Sequence, residues 1–144
     1  NYTYDNINKE NKLVLAKMTA QEALAAGIRD CVDFGPFLIV NGKSIEIQGM
    51  PYGVANKCII AQRKDGIVLF LVVNGYGSKL SWKGRGGVYL NDLLVILQRY
   101  GAYNAINMDG GSSTTMVING ELINDPCDPV KQGQDYIQSA WILK

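Results

Sequence analysis

This sequence predicts an α+β fold with a mainly antiparallel or mixed β-sheet and two principal helices. Three observations predict it. Short apolar runs recur along the chain, mostly joined by Asn-Gly or Asp-Gly steps of the hairpin kind. Only two segments, one after Thr19 and one from Leu90, carry helical signals. No repeat, low-complexity tract or linker separates these elements, and 144 residues is the length of one domain, so 1–144 is read as a single unit.

Taken in order, Lys12 to Lys17 alternates weakly and reads as a strand. Thr19-x-x-Glu22 is a capping box, in which each side chain satisfies the other residue's free backbone N–H. The Ala-rich segment to Ala26 is then a short helix, stopped by Gly27. Phe37 to Val40, Asn41-Gly42 and Lys43 to Ile47 form a hairpin. Lys57 to Arg63 and Ile67 to Val73 form a second around Lys64-Asp65-Gly66. Ile67 to Val73 is apolar throughout, which predicts a central strand covered on both faces. Asn74 to Gly87 holds five glycines and reads as a long functional or disordered loop. Leu90, Leu93, Leu94 and Leu97 make the apolar stripe of a helix, with Arg99 in its last turn and Gly101 as its stop. Strands follow at Tyr103 to Met108, Thr114 to Ile118 and Glu121 to Asn124, and a last one at Ile137 to Leu143. The sum is about eight or nine strands, with one parallel crossover through the second helix.

Composition narrows the function classes. Hydrophobic content of 47% and charged content of 19% suit a globular protein of this size, which buries about two-thirds of its unfolded surface. A net charge of +1 calls for no nucleic-acid or anionic-membrane partner. No apolar run reaches the ~20 residues that span a bilayer. Asn1 opens no signal peptide, and without an initiating Met an upstream segment is expected to have been cut or left out. The chain has no histidine, which removes Ser-His-Asp and Cys-His catalysis and histidine metal sites. Cys31, Cys58 and Cys127 lack metal-ligand spacing and are read as buried free thiols. No cofactor is called for. Asp125 and Asp128 flank Pro126, where a turn and a calcium role both stay open.

The densest stretch is Asn104-Ala-Ile-Asn107-Met-Asp109-Gly-Gly-Ser-Ser-Thr-Thr-Met116-Val-Ile-Asn-Gly120. An apolar-rich run drives into an acid, followed by two glycines and four hydroxyl residues. Gly110 and Gly111 are free to take φ > 0 and admit a close neighbour. Their N–H groups, with those of Ser112 and Ser113, have the makings of an anion-binding nest. Asp109 is expected at the end of a strand, a position from which a carboxylate can be aimed into a cleft. A tight hairpin, whose Asp and Ser side chains bond the local backbone, explains the same residues.

This order resembles the phosphodiester glycosidase family. The likeness extends to Val32-Asp-Phe-Gly-Pro-Phe-Leu-Ile-Val-Asn-Gly42, to the hairpin before Asn74-Gly75 and to the helix near Tyr89, from about Leu13 to Lys144. The resemblance implies an exported or surface-associated bacterial hydrolase. Its substrate would be a sugar-1-phosphodiester of the N-acetylglucosamine-1-phosphate type, in a glycan or cell-envelope polymer. Such a reaction expels a phosphate monoester, a weak base. The site must therefore hold an anion, stabilise charge on the sugar ring and direct water or a carboxylate. Asp109 takes the carboxylate role, with Asn107, alternating with it on the strand, at its side. Gly110, Gly111, Ser112, Ser113, Lys57, Asn74 and Arg85 are the substrate-binding candidates. Lys79 and Lys83 share Arg85's loop, and ordinary solvated loop charge is the favoured explanation of all three. Trp82 and Tyr76 are candidates to stack on a sugar, and Trp141 reads as core.

The chain departs from the family pattern in three places. Asn56-Lys-Cys-Ile-Ile-Ala61 stands for a Pro-Arg-Thr-Ala-Ile-Gly type, so Lys57, a point charge, replaces a planar fork. Asp135 falls where relatives have Arg. The upstream Asn-Gly-Gly-Phe-Phe motif is absent. The chain is therefore expected to be the C-terminal part of the family domain, its site completed by a missing N-terminal segment or a second chain. A non-catalytic carbohydrate-binding module and a structural domain on the same scaffold remain the alternatives.

Overall fold

Every strand pairing among the described residues is antiparallel, and the two helices fall where capping and periodicity place them. The structure is a computed structural model and describes residues 2–49, 53–75, 86–126 and 134–143. The elements in the first half are β1 (Tyr2–Asn8), β2 (Leu13–Thr19), α1 (Ala20–Ala25), β3 (Ile28–Val32), β4 (Phe37–Val40), β5 (Lys43–Ser44), β6 (Lys57–Arg63) and β7 (Val68–Val73). Then come α2 (Leu90–Arg99), β8 (Ala102–Met108), a 3₁₀ turn (Gly111–Ser113), β9 (Val117–Ile118) and β10 (Glu121–Leu122). Three sheets result, ordered β2-β1-β3, β5-β4-β8-β6-β7 and β10-β9. This is the α+β class that the sequence predicts.

The five-stranded sheet positions the site. Its register sets Ile59 beside Asn107 and Leu71, and Ala61 beside Ala105 and Leu69. Cross-strand partners share a face. That face meets Leu90, Leu93 and Leu97 of α2 and forms the main core with Leu38 and Ile39. The helix is capped by Asp92, whose carboxylate accepts the Tyr89 N–H at 3.0 Å.

The opposite face is joined to the three-stranded sheet through two amide side chains. Gln62 accepts the Leu13 N–H at 2.8 Å and donates to the Asn11 and Gly66 carbonyls at 2.8 and 3.0 Å. Its register partner Asn104 donates to the Leu13 carbonyl at 2.9 Å and accepts the Asn41 N–H at 2.7 Å. A buried group left without its partner costs more than the bond itself is worth. Gln62→Leu is thus expected to lower the unfolding free energy by about 1–3 kcal/mol in urea titration, with the slope unchanged. A loss below about 0.5 kcal/mol, the level of an ordinary surface change, would show that the clamp is idle.

Several expectations hold locally. Thr19 and Glu22 form both bonds of the capping box, at 3.2 and 2.7 Å. Asn41-Gly42 and Asn119-Gly120 take positive φ, as tight hairpin turns require. The two strands flanking α2, β7 and β8, each pair antiparallel with β6, so they run parallel to one another. The crossover is real, but it steps over β6 and does not join neighbours.

Three expectations need correction. β7 lies at the sheet edge, while β8 and β6 hold the middle. Leu69, Leu71 and Val73 of its apolar run pack against the main core. Residues 137–143 form no strand, and Ile142 and Leu143 are largely exposed. An apolar run lacks strand structure when no neighbour takes up its backbone bonds. Two strands escaped the sequence reading: β1, with Thr3, Asp5, Asn6 and Asn8 among its seven residues, and β3, where Arg29 and Asp30 interrupt the apolar residues. Asn6 explains how β1 tolerates this. Its buried amide donates to the Val14 and Ala16 carbonyls at 3.2 and 3.0 Å.

Candidate active site

Because β6 runs antiparallel to β7 and β8, its first residue and their last residues meet at one end of the sheet. Lys57, Asn74 and Asp109 belong to that end. Asp109 is the first residue past β8 and is exposed to solvent. The backbone turns away directly behind it. Gly111 takes φ +58° and donates its N–H to the Asn56 carbonyl at 3.2 Å. A Cβ on Gly110 would stand 2.6 Å from that same carbonyl oxygen, so only glycine fits. Asp109 therefore sits on a glycine ledge held against residue 56.

The ledge differs from an open nest. The Gly111 N–H is committed to Asn56, and the Ser113 N–H to the Gly110 carbonyl at 3.0 Å. The Thr114 N–H bonds Gly111 at 3.2 Å, closing the 3₁₀ turn. Ser112 is buried, and its carbonyl accepts the Asp135 N–H at 3.1 Å. Two of the four N–H groups expected to receive an anion are thus used by the fold, Gly111 by the contact with Asn56 and Ser113 by the 3₁₀ turn.

Asn56 is the residue that sequence reasoning missed. It is 1% exposed and lies at the meeting point of three segments. Its Nδ2 donates to the Asp125 carbonyl at 3.3 Å, and Asn74 Oδ1 accepts the Asp125 N–H at 3.0 Å, so two amide side chains hold the backbone of Asp125 through its successive peptide groups. A Cβ on Gly75 would overlap the Asn56 side chain and backbone N, and one on Gly87 would lie 2.9 Å from the Ala55 backbone. Three glycines from three segments thus close on residues 55–56. Asn124 continues the network, accepting the Met116 N–H at 2.7 Å and donating to Thr114 at 2.8 Å. Asn74 therefore holds the Asp125 segment. The only sequence signal for this arrangement is the glycine spacing; nothing in the sequence around Asn56 marks it.

Lys57 is 2% exposed, and its Nζ donates to the Gly53 carbonyl at 3.0 Å. Burial holds its pKa below the ordinary 10.5. The cation expected to meet a phosphate is therefore turned to its own chain. Asn107 is also buried, donating through Nδ2 to Gly35 at 2.8 Å and through its backbone to Pro36 at 3.1 Å. Its Oδ1 is buried with no hydrogen-bond partner among the described residues. It anchors the 35–36 turn to β8, instead of standing exposed beside Asp109. Arg85, with Lys79, Lys83, Tyr76 and Trp82, lies outside the described residues, as do Cys127 and Asp128. Trp141 is half-buried. Among the described residues no cluster of three or more acid, histidine or cysteine side chains could hold a metal ion.

Cys58 reports on the acid. Its thiol is pushed up from 9.0 to about 11, first by burial and then by the charge of Asp109. At pH 8 the thiolate fraction falls about 100-fold below that of a thiol titrating at 9, and alkylation of Cys58 should slow at least as much. Peptide-resolved iodoacetamide labelling, with exposed Cys31 as comparison, checks this. Equal rates at the two cysteines would contradict it. The folded protein keeps the Cys58 proton where the unfolded chain loses it, so this group's stabilisation falls as pH rises from 9 through 11. Lys57 has the opposite sign: its depressed folded pKa makes stability rise with pH towards 10.5. The two oppose in one window, which makes labelling the cleaner measurement.

A family model described as phosphodiester glycosidase matches residues 3–144. Among curated proteins the chain is similar to the SPbeta prophage-derived uncharacterized protein YomE of Bacillus subtilis (strain 168). The identity is 25% over 120 residues, which are 81% of this chain and 18% of that protein. Among solved structures it is similar to the catalytic domain of zebrafish N-acetylglucosamine-1-phosphodiester alpha-N-acetylglucosaminidase, solved auto-inhibited by its pro-peptide. The TM-score is 0.68 at 22% identity, over 91% of this chain and 47% of that one, a likeness of fold alone. A hypothetical protein from Synechocystis matches with a TM-score of 0.56 at 29% identity, over 78% of this chain and 21% of that one. The chain spans less than half the length of each of these relatives.

Proposed function

The chain belongs to the phosphodiester glycosidase family, and on that premise we propose that it is a hydrolase cleaving the glycosidic bond of a sugar-1-phosphodiester in a glycan or cell-envelope polymer outside the cell. The zebrafish enzyme's name supports N-acetylglucosamine-1-phosphate as the type of sugar ester. The observation that carries the reading is Asp109, an exposed carboxylate at the exit of β8, on a ledge that only glycine can form.

The chemistry follows from that placement. The bond between the anomeric carbon and the phosphate oxygen breaks, and its electron pair leaves with the phosphate. That oxygen is a weak base, so little general-acid help is needed. Positive charge builds on the sugar ring, and a carboxylate beside it stabilises that charge while directing the entering oxygen. Asp109 is the carboxylate proposed for that role. Gly110, the hydroxyl of Ser113 and Arg85 of the glycine-rich segment are the groups proposed for the sugar and phosphate oxygens, while buried Ser112 holds the turn. Asn107, Asn74 and Lys57 support the site from behind.

A non-catalytic carbohydrate-binding role is the second reading. It is favoured by the burial of Lys57, which leaves the phosphate without the cation expected there. The two readings separate on the full-length protein offered the p-nitrophenyl phosphodiester of α-N-acetylglucosamine and, in parallel, a glycan array. Release of N-acetylglucosamine supports the hydrolase. Glycan binding without release supports the second reading and overturns the first.

A further inference from the structure

Asn56 lies in the interior of the site end, where its contacts sort into two groups. One group faces the acid: its carbonyl holds the Gly111 N–H at 3.2 Å and meets Gly110 too closely for any Cβ. The other faces away: its side chain fills the space beside Gly75 and holds the Asp125 carbonyl at 3.3 Å. Asp125 is in turn tied to Asn74 at the end of β7. A side chain bonded on one side of a peptide, with its own carbonyl bonded on the other, transmits position between two loops. Among the described residues, the Asp109 ledge has no strand partner past Met108. Its placement is set by the Asn56 contact and the 3₁₀ turn.

We propose that Asn56 is the positioning residue of this site: by joining the Gly110–Gly111 ledge to the Asp125 segment and β7, it fixes where the Asp109 carboxylate stands. It touches neither the sugar nor the phosphate, being buried. The part of this inference that concerns turnover rests on Asp109 being the working carboxylate; the geometric part does not.

A thermodynamic cycle tests it on the full-length protein. The apparent pKa of the Cys58 thiol is read from the pH dependence of its alkylation, in the parent, Asn56→Ala, Asp109→Asn and the double variant. Circular dichroism establishes folding in each. If Asn56 places Asp109, Asn56→Ala moves the thiol pKa down in the parent background and leaves it unmoved in the Asp109→Asn background. An equal shift in both backgrounds would mean merely loosened packing, and no shift in either would mean an idle contact. Each of these overturns the proposal. Should Asn56→Ala fail to fold, Asn56→Leu is read in the same cycle, since it roughly keeps the volume and removes the Nδ2 donor without adding a charge near the thiol. Turnover gives a second arm. The variant is expected to lower kcat at least 10-fold with KM within about 3-fold, because orientation and not affinity is lost. A folded variant with kcat within 2-fold of the parent overturns the proposal. If the parent itself does not turn over, the hydrolase reading fails while the cycle still decides the position of Asp109.

Discussion

Asp109→Asn is expected to lower kcat for the p-nitrophenyl phosphodiester of α-N-acetylglucosamine by at least about 100-fold. The substitution is isosteric and exposed, so the folded state should keep its stability within about 0.5 kcal/mol. KM should stay within a few-fold, because the lost interaction grows with the charge on the sugar ring and is weak in the ground state. The same variant removes one of the two causes that raise the Cys58 thiol, so its labelling should quicken while the burial cause persists. The combination is diagnostic. Lost turnover with faster Cys58 labelling and unchanged melting ties the chemistry to a carboxylate beside the thiol. Turnover within 2-fold of the parent would remove Asp109 from the mechanism.

Gly75→Ala is expected to be the most destabilising single methyl addition among the described glycines. A Cβ there overlaps both the side chain and the backbone N of Asn56, and a backbone atom yields only if the segment moves. Overpacking of this kind costs about 3 kcal/mol or more. Gly110→Ala should follow, since its Cβ meets the Asn56 carbonyl at 2.6 Å and nothing else within 3.7 Å. Gly111→Ala is the comparison. It carries φ +58° but faces open space, so its cost is the left-handed backbone alone, about 1–2 kcal/mol. Urea midpoints should therefore order Gly75→Ala below Gly110→Ala, and both below Gly111→Ala. A Gly111→Ala protein less stable than the other two would mean that the ledge is not packed against residue 56. Gly110→Ala, where it folds, should also lose turnover, because the displaced peptide is the one following Asp109.

Much of the fold was legible because local signals and tertiary demands agree. The Thr19–Glu22 box, the Asn41-Gly42 turn and the Leu90–Leu97 stripe each fix an element by short-range chemistry that packing then uses. Failures occurred where packing overrides pattern. β1 is polar by sequence yet lies central in its sheet, since Asn6 satisfies itself on the β2 backbone. β7 is apolar by sequence yet lies at an edge, where Leu69, Leu71 and Val73 still pack against the main core.

The site was legible in part for a similar reason. Asp109 and its glycines are contiguous, so their order could be read. Asn56 acts through contacts with residues 75, 110, 111 and 125, and no spacing in the sequence announces such a junction. The type of Lys57 was legible but its burial was not, because exposure depends on what covers the start of β6.

The most direct measurement is a crystal structure of the full-length Asp109→Asn protein with the uncleaved N-acetylglucosamine phosphodiester bound. The account predicts the anomeric carbon about 3–3.5 Å from the residue 109 side chain, or one water away, with the phosphate over the ledge formed by Gly110 and Ser113. A sugar ester seated elsewhere, with residue 109 facing bulk water, would contradict it.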